Sequence, residues 1–244
     1  MEVRFLGSGD AFGSGGRFNT CIYVRDAKDG FLVDCGASSM IAIRKFGVDP
    51  NAVRAVFITH LHGDHFGGLP FFILDAQLVS RRTAPLTIAG PPGLRDRLAV
   101  AMETFFPGST KVERRFTIEV RELEPGVAHD VAGIEVTGHV VRHPCGAPPF
   151  ALRLKADGKI LCYSGDTEWT DTLADAARGA DLFIAEAYFR DKQVKFHLDY
   201  ATLARHLPEL GAKRTVLTHM SADMLAHVHE IGCEVAEDGL TIVL

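Results

Sequence analysis

THLHGDH, residues 59–65, decides the fold of this chain: it places three histidines and an aspartate directly after the apolar run VRAVFI. The run is typical of a buried β-strand, and the polar residues occupy the loop where it ends. His60 and His62 alternate by two, so an extended backbone turns both imidazoles to one side, as a shared metal ion requires. The glycine that follows allows a turn, which redirects Asp64 and His65 toward a second point. The stretch therefore predicts a metal site at the end of a strand.

Further ligands are predicted at the ends of three later strands. His143 follows IEVTGHVV, Asp166 follows KILCYS and His219 follows RTVL. Each is a polar residue at the C-terminal tip of an apolar strand, where open α/β sheets place their sites. With the four residues of the first loop they supply seven ligands, enough for two metal ions that share a carboxylate. His139 competes with His143, and we prefer His143 because His139 falls inside the strand pattern.

The rest of the sequence alternates short apolar strands with helical patterns. Strand patterns such as EVRFL, TCIYV and FLVDC are followed by helical ones such as SSMIAIRKFG and GLRDRLAVAMETFF. Runs such as VFI and LFIA are typical of central strands that are covered on both faces. The pattern predicts an α/β chain with helix, sheet, sheet and helix layers, in a single domain over residues 1–244.

Composition narrows the class of protein. The chain has 244 residues, of which 47% are hydrophobic and 23% charged, and its net charge is −5. The acidic balance argues against a nucleic-acid partner. MEVRFLGSG has no apolar run behind a basic start, and no stretch approaches about 20 uninterrupted apolar residues, so neither a signal peptide nor a membrane span is expected. Five scattered cysteines without a CxxC pair fit reduced thiols in a cytoplasmic protein.

With these motifs in this order, the chain resembles the metallo-β-lactamase superfamily and, within it, the ribonuclease Z-like, phosphodiesterase-like branch. The resemblance rests on THLHGDH, the later histidine, SGDT and LTH, and on LGSGDAFGSGGRFNT with the FLVDCG strand behind it. It implies a four-layer αββα sandwich with the site at one edge between the sheets.

The resemblance also implies two divalent metal ions. It assigns the first ion to His60, His62 and His143, the second to Asp64, His65 and His219, and a bridging position to Asp166. Zn²⁺ is favoured by the habit of the family, although a set of nitrogen and oxygen ligands also accepts Mn²⁺ or iron.

Two further residues match this branch. In AEAYFRDKQVKFHLDY, Glu186 and His197 correspond to a family glutamate and a family histidine. The resemblance implies that His197, held by Glu186, donates a proton to the leaving group, and Asp64 is expected to orient a metal-bridging hydroxide. Leu198 and Asp199 stand where the branch usually has serine or threonine, so a surface-loop histidine is the alternative.

The interval between His143 and Asp166 separates this chain from tRNA 3′-processing enzymes, which carry a long protruding arm there. Here it has room only for two short strands and a turn at Asp157-Gly158. We therefore predict a dinuclear metal-dependent hydrolase, a phosphodiesterase acting on a small or cyclic diester rather than on tRNA. The alternatives are a lactone, thioester or sulfate-ester hydrolase of the same fold, and a metal-binding protein without turnover.

Several residues outside the ligand set are also candidates. Asp34, at the end of FLVDCG, is predicted to support a ligand rather than bind metal. Arg17 and Asn19 are candidate phosphate contacts near the mouth of the site. Phe71 and Phe72 are candidates for a pocket wall or a dimer face, and a homodimer is implied by the resemblance alone. The expected partner is a small-molecule substrate.

Overall fold

The first of two facing sheets is built from the N-terminal half of the chain and one C-terminal strand. The computed structural model describes residues 1–244. In chain order the strands of this sheet are β1 (Glu2–Gly7), β2 (Cys21–Arg25), β3 (Gly30–Val33), β4 (Val53–Phe57), β5 (Leu86–Gly90), β6 (Ile118–Glu122) and β14 (Thr241–Val243). They lie side by side as β14-β1-β2-β3-β4-β5-β6. Pairs from β3 to β6 are parallel, and the pairs on the other side of β3 are antiparallel.

The second sheet repeats this plan with the rest of the chain. Its strands are β7 (Ala128–Val131), β8 (Ile134–Val140), β9 (Phe150–Ala156), β10 (Lys159–Tyr163), β11 (Leu182–Glu186), β12 (Thr215–Thr218) and β13 (Glu234–Val235). They lie side by side as β13-β12-β11-β10-β9-β8-β7, with parallel pairs from β10 to β13. The sequence patterns do not predict β7 and β13, which are short edge strands.

Helices cover the outer face of each sheet. Those of the first half are α1 (Ser39–Lys45), α2 (Gly63–Phe66), α3 (Leu69–Leu78) and α4 (Leu94–Phe105). Those of the second half are α5 (Thr172–Ala177), α6 (Tyr200–Leu210) and α7 (Ala222–Ala226). None of them combines the length and the apolar character that a bilayer crossing requires.

The core consists of one apolar layer between the sheets and one under each set of helices. Strand β4 shows how the sequence builds it. Ala55 and Phe57 pack between the sheets, whereas Val56 and Ile58 pack under the helices, so alternate side chains are buried on opposite faces. The predicted αββα layering is confirmed.

Strands β9 and β10 form the hairpin predicted between His143 and Asp166. Its turn lies at Asp157 and Gly158, whose φ angles of 51° and 70° are both in the left-handed region. Turns of this kind match the twist of paired strands. The whole interval is therefore built into the second sheet and its adjoining loops, and no arm projects from it.

Backbone contacts explain two glycines beside the metal loop. A Cβ atom on Gly68 would lie 2.2 Å from the carbonyl oxygen of Gly36, and one on Gly36 would lie 2.1 Å from that of Asp64. Gly63 differs, because a Cβ atom there would meet no heavy atom within 4 Å and its φ lies outside the left-handed region. The turn that follows His62 therefore does not depend on glycine at residue 63, contrary to the interpretation of the sequence.

Gly68→Ala is expected to lower the free energy of unfolding by about 1–3 kcal/mol, since the new methyl group meets a backbone oxygen that cannot rotate away. Gly63→Ala is the matched control and is expected to stay within about 0.5 kcal/mol of the wild type. Urea unfolding monitored by circular dichroism measures both. Equal midpoints for the two variants would contradict the assigned contact.

Candidate active site

Seven histidine and aspartate side chains meet at one edge of the sandwich, between the two sheets. They follow strands β4, β8, β10 and β12, and are His60, His62, Asp64, His65, His143, Asp166 and His219. The structure thus brings together all seven ligands proposed from the sequence. They fall into two groups, one of three histidines and one of Asp64, His65, Asp166 and His219. Within each group the ligand atoms lie within 4.8 Å of one another.

The ligand atoms approach one another closely. In the histidine group, His62 Nδ1 lies 3.0 Å from His143 Nε2. Asp166 contacts both groups, with Oδ1 at 3.2 Å from His65 Nε2 and Oδ2 at 3.8 Å from His60 Nε2. This carboxylate has the placement that a bridging ligand requires.

The centre of the cluster lacks the hydrogen-bond partners that buried polar atoms normally have. His60 Nε2 is buried and makes no hydrogen bond, and an unpaired buried polar atom costs about 1–3 kcal/mol. Imidazole nitrogens and carboxylate oxygens that converge in this way, without a thiolate, are the ligand set of Zn²⁺ and related divalent ions. The residues present therefore fit a metal site.

Asp34 and Thr59 orient two of the imidazoles. The buried Asp34 Oδ2 accepts hydrogen bonds from His65 Nδ1 at 2.6 Å and from the Thr59 hydroxyl at 2.8 Å. The Thr59 oxygen in turn accepts one from His60 Nδ1 at 3.0 Å. Protons held on Nδ1 leave both Nε2 atoms free to face the centre. The placement of Asp34 agrees with the predicted supporting role, and its φ of 59° is a strained conformation of the kind found at functional sites.

Charges in the second group favour a cation. Burial lowers the pKa of His219, but Asp166 and Asp64 outweigh it and raise that pKa to about 9. Burial opposes the charged form of His65 too, yet the same two carboxylates raise its pKa well above the ordinary value. For His60, burial and the charge of His65 lower the pKa well below the ordinary value. The carboxylates thus create the negative field that a divalent ion would neutralise.

The segment Phe196-His197 contacts both sides of the site. The Phe196 carbonyl accepts a hydrogen bond from His143 Nδ1 at 2.9 Å, and His197 Nδ1 donates one to Glu186 Oε2 at 3.0 Å. Glu186 is fully buried at the end of β11, and its other oxygen accepts from the backbone N–H of Thr167. A ring nitrogen of His197 lies within 4.8 Å of the ligand atom of His143. Both residues proposed for proton transfer are therefore at the site.

Glu186 also controls the protonation of His197. Burial lowers the pKa of His197, but the hydrogen bond and the negative charge of Glu186 outweigh it, and the net pKa is raised. Burial and the charge of Asp166 raise the pKa of Glu186 in turn. Because Nδ1 of His197 is engaged by Glu186, Nε2 is the atom from which a proton can be transferred.

Leu198 and Asp199, which follow His197, stabilise the fold. Leu198 is buried in the core, and the Asp199 side chain accepts a hydrogen bond from the backbone N–H of Thr202 at 2.8 Å. This contact caps the N-terminus of α6. This chain therefore lacks the serine or threonine that the branch usually has after this histidine, and His197 still reaches the site.

An open cavity of about 220 Å³ leads to the cluster. Besides five of the seven proposed ligands and His197, its walls include Ala11 and Phe12 from the glycine-rich loop, and Tyr188. Sequence reasoning missed Phe12 and Tyr188. Tyr188 lies two residues beyond the end of β11, and this strand-end position is the signal that could have found it.

Other residues proposed from the sequence do not line this cavity. Arg17 donates hydrogen bonds to the Ser8 hydroxyl and the Ala236 carbonyl, and Asn19 Nδ2 donates to the Asp10 carbonyl. These two side chains therefore tie loops together and are not placed as phosphate contacts. Of the two phenylalanines after the metal loop, Phe72 is buried in the core and Phe71 remains partly exposed on α3.

Comparison with known proteins agrees with this geometry. The family model described as Anti-Pycsar protein Apyc1 matches residues 1–237. The chain belongs to this Apyc1 family. The match extends over every strand except β14 and includes all seven side chains of the cluster.

Individual relatives extend the comparison. Ribonuclease Z of Bacillus cereus is 27% identical over 274 residues, which cover 91% of this chain and 89% of that protein. The crystal structure of the short form of human tRNase Z shares 29% identity with a TM-score of 0.81, over 100% of this chain and 99% of that one. The Zn²⁺-bound PqqB of Methylobacterium extorquens shares the fold at 18% identity, with a TM-score of 0.74 and 100% of both chains covered.

These similarities place the Apyc1-family chain in the metallo-β-lactamase superfamily, in its ribonuclease Z-like branch. It is a hydrolase of that fold with a histidine and aspartate cluster suited to metal. The superfamily, the branch and the enzyme class predicted from the sequence are confirmed.

Proposed function

We propose that this chain is a phosphodiesterase that hydrolyses a small or cyclic phosphodiester at a site for two divalent metal ions. The observation that carries the proposal is the His197 imidazole, which is held by the buried Glu186 and faces the cluster. Cleavage of a P–O bond releases an alkoxide, which departs poorly unless it receives a proton. A protonated imidazole beside the ligands supplies that proton from Nε2.

Each of the two groups of ligand residues would hold one of the two ions. His60, His62 and His143 would hold the first ion, Asp64, His65 and His219 the second, and Asp166 both. When bound, such ions supply electrophilic charge to phosphoryl oxygens and lower the pKa of a water from 15.7 to about 7. Zn²⁺ suits the ligand set, and its presence in the PqqB structure supports this choice. The nitrogen and oxygen ligands also accept Mn²⁺ or iron.

The protein's own groups orient the reactants. Asp64 Oδ2 lies 3.2 Å from His219 Nε2, and its side chain keeps 10% exposure to the cavity. It can therefore orient an attacking water by accepting a hydrogen bond. His197 protonates the departing oxygen from its own position in the cavity wall.

The surroundings of the site favour a small substrate over tRNA. The interval from His143 to Asp166 forms a hairpin within the second sheet. No lysine or arginine lines the cavity, and the net charge of the chain is −5. Binding to a polyanionic RNA depends on cationic side chains that neutralise many phosphates. A single phosphodiester group needs only the charge that the metal site provides.

A substrate panel tests the proposal. Metal-loaded protein is expected to hydrolyse bis(4-nitrophenyl) phosphate, and Asp64→Ala is expected to lose this activity. Asp96→Ala, on the exposed face of α4, is the matched control and is expected to keep it. A lactone and a chromogenic β-lactam complete the panel.

Two results would contradict the proposal. Fewer than one metal ion per active chain would exclude the dinuclear site. Cleavage of the lactone without cleavage of the diester would favour the alternative ester hydrolase of the same fold.

A further inference from the structure

The cavity wall carries two large aromatic side chains that have no part in metal binding or proton transfer, Phe12 and Tyr188, and Phe12 is the more exposed. Phe12 is 83% exposed, whereas Phe5, Phe31, Phe57 and Phe72 are fully buried. It lines the same cavity as the ligands. An apolar ring kept in water beside a polar site gains stabilisation when a ligand covers it.

The backbone beneath Phe12 is held in place. The side chain of Asp10 accepts hydrogen bonds from the N–H groups of Phe12 at 3.2 Å and Ser14 at 2.9 Å, and from the Ser14 hydroxyl at 2.8 Å. Asp10 itself is buried, and its carbonyl accepts from Asn19 Nδ2 at 2.9 Å. The ring is thus presented by an ordered loop, which limits the entropy lost when a ligand contacts it.

The cavity offers aromatic rather than cationic contacts beyond the ligands. Tyr188 supplies a second ring, whose centroid lies 4.8 Å from that of His197 and 6.0 Å from that of His219. No lysine or arginine is present to pair with a second anionic group. These walls suit a molecule with one phosphodiester group and a planar ring, because stacking tolerates any ring with a π-face.

We propose that Phe12 is a substrate-contacting, specificity-determining residue that stacks on a planar aromatic ring carried by the phosphodiester. This assignment rests on the proposed phosphodiesterase function. Phe12 has no titratable group, so it contributes binding through the ring and takes no part in bond cleavage. Its loss is therefore expected to weaken binding of ring-bearing ligands while kcat is largely retained.

Two non-hydrolysable inhibitors isolate the contribution of the ring. Phenylphosphonate and ethylphosphonate present the same phosphonate group, and only the first carries an aromatic ring. Their inhibition constants are measured against bis(4-nitrophenyl) phosphate turnover for the wild type, Phe12→Ala, Phe12→Trp and Val100→Ala. Val100 is a matched control because it is 60% exposed on α4 and does not line the cavity.

Phe12→Ala is expected to weaken inhibition by phenylphosphonate about tenfold and inhibition by ethylphosphonate less than twofold. Phe12→Trp is expected to retain the wild-type preference for phenylphosphonate over ethylphosphonate. Val100→Ala is expected to leave both inhibition constants unchanged. Equal constants for the two inhibitors in the wild type, or equal losses in Phe12→Ala, would overturn the assignment. A metal-loaded wild type that hydrolyses no phosphodiester would instead overturn the proposed function on which it rests.

Discussion

Asp166→Ala is expected to lower kcat/KM for a phosphodiester by about 10³-fold or more, and to reduce the metal content of the chain. The Asp166 carboxylate contacts both groups of the cluster, at 3.2 Å from His65 Nε2 and 3.8 Å from His60 Nε2. Without it, His60 and His143 lose the carboxylate that lies 3.8 Å and 3.9 Å from their Nε2 atoms. Metal analysis and steady-state kinetics on the same preparation measure both effects.

Two further variants make this result specific. Asp166→Asn keeps the shape of the side chain and removes its charge, so it is expected to reproduce the losses in a chain that folds normally by circular dichroism. Asp175→Ala, at an exposed position of α5, is the control and is expected to match the wild type. A fully active Asp166→Asn protein with two metal ions bound would exclude the bridging role.

His197→Gln is expected to lower kcat by about 10²- to 10⁴-fold for a diester with an alkoxide leaving group. The same variant is expected to hydrolyse bis(4-nitrophenyl) phosphate at a rate near that of the wild type, since nitrophenolate departs without a proton. The two substrates are expected to differ because His197 acts as a proton donor. Its Nδ1 is held by Glu186 at 3.0 Å, and its Nε2 is free to donate a proton to the leaving oxygen. Parallel rate measurements on an alkyl or cyclic diester and on the nitrophenyl diester provide the test.

Equal losses on the two substrates would show that His197 positions the substrate or the cluster and does not donate the proton. His229→Gln is the control for replacing a histidine, because His229 is exposed in the 3₁₀ turn Val228–Glu230. It is expected to leave both rates unchanged.

The ligands could be predicted from the sequence because the metal chemistry and the strand pattern agree. His143, Asp166 and His219 each follow an apolar run, and a sheet brings the carboxyl ends of its parallel strands to one edge. The layering could be predicted for the same reason, since apolar residues bury both faces of central strands such as β4.

The supporting contacts could not be predicted, because they depend on backbone groups and on loops that meet only in the folded chain. The carbonyl that orients His143 belongs to Phe196, and any residue type offers a carbonyl. Phe12 has no sequence signal that separates it from a core phenylalanine; its exposure is a property of the loop that Asp10 holds. The contacts of Arg17 could not be predicted, because one acceptor of its guanidinium, the Ala236 carbonyl, belongs to a backbone 219 residues further along the chain.

The cluster is divided between the two layers of the sandwich. Four of its side chains follow β4 in the first sheet, and three follow β8, β10 and β12 in the second. Ions held between them would cross-link the layers at their open edge, so separating the sheets would dismantle the ligand set. By mass action, bound metal would then stabilise the folded chain as well as support its turnover. A cell that withholds the metal would expose this protein to proteolysis, and the amount of enzyme would follow metal availability.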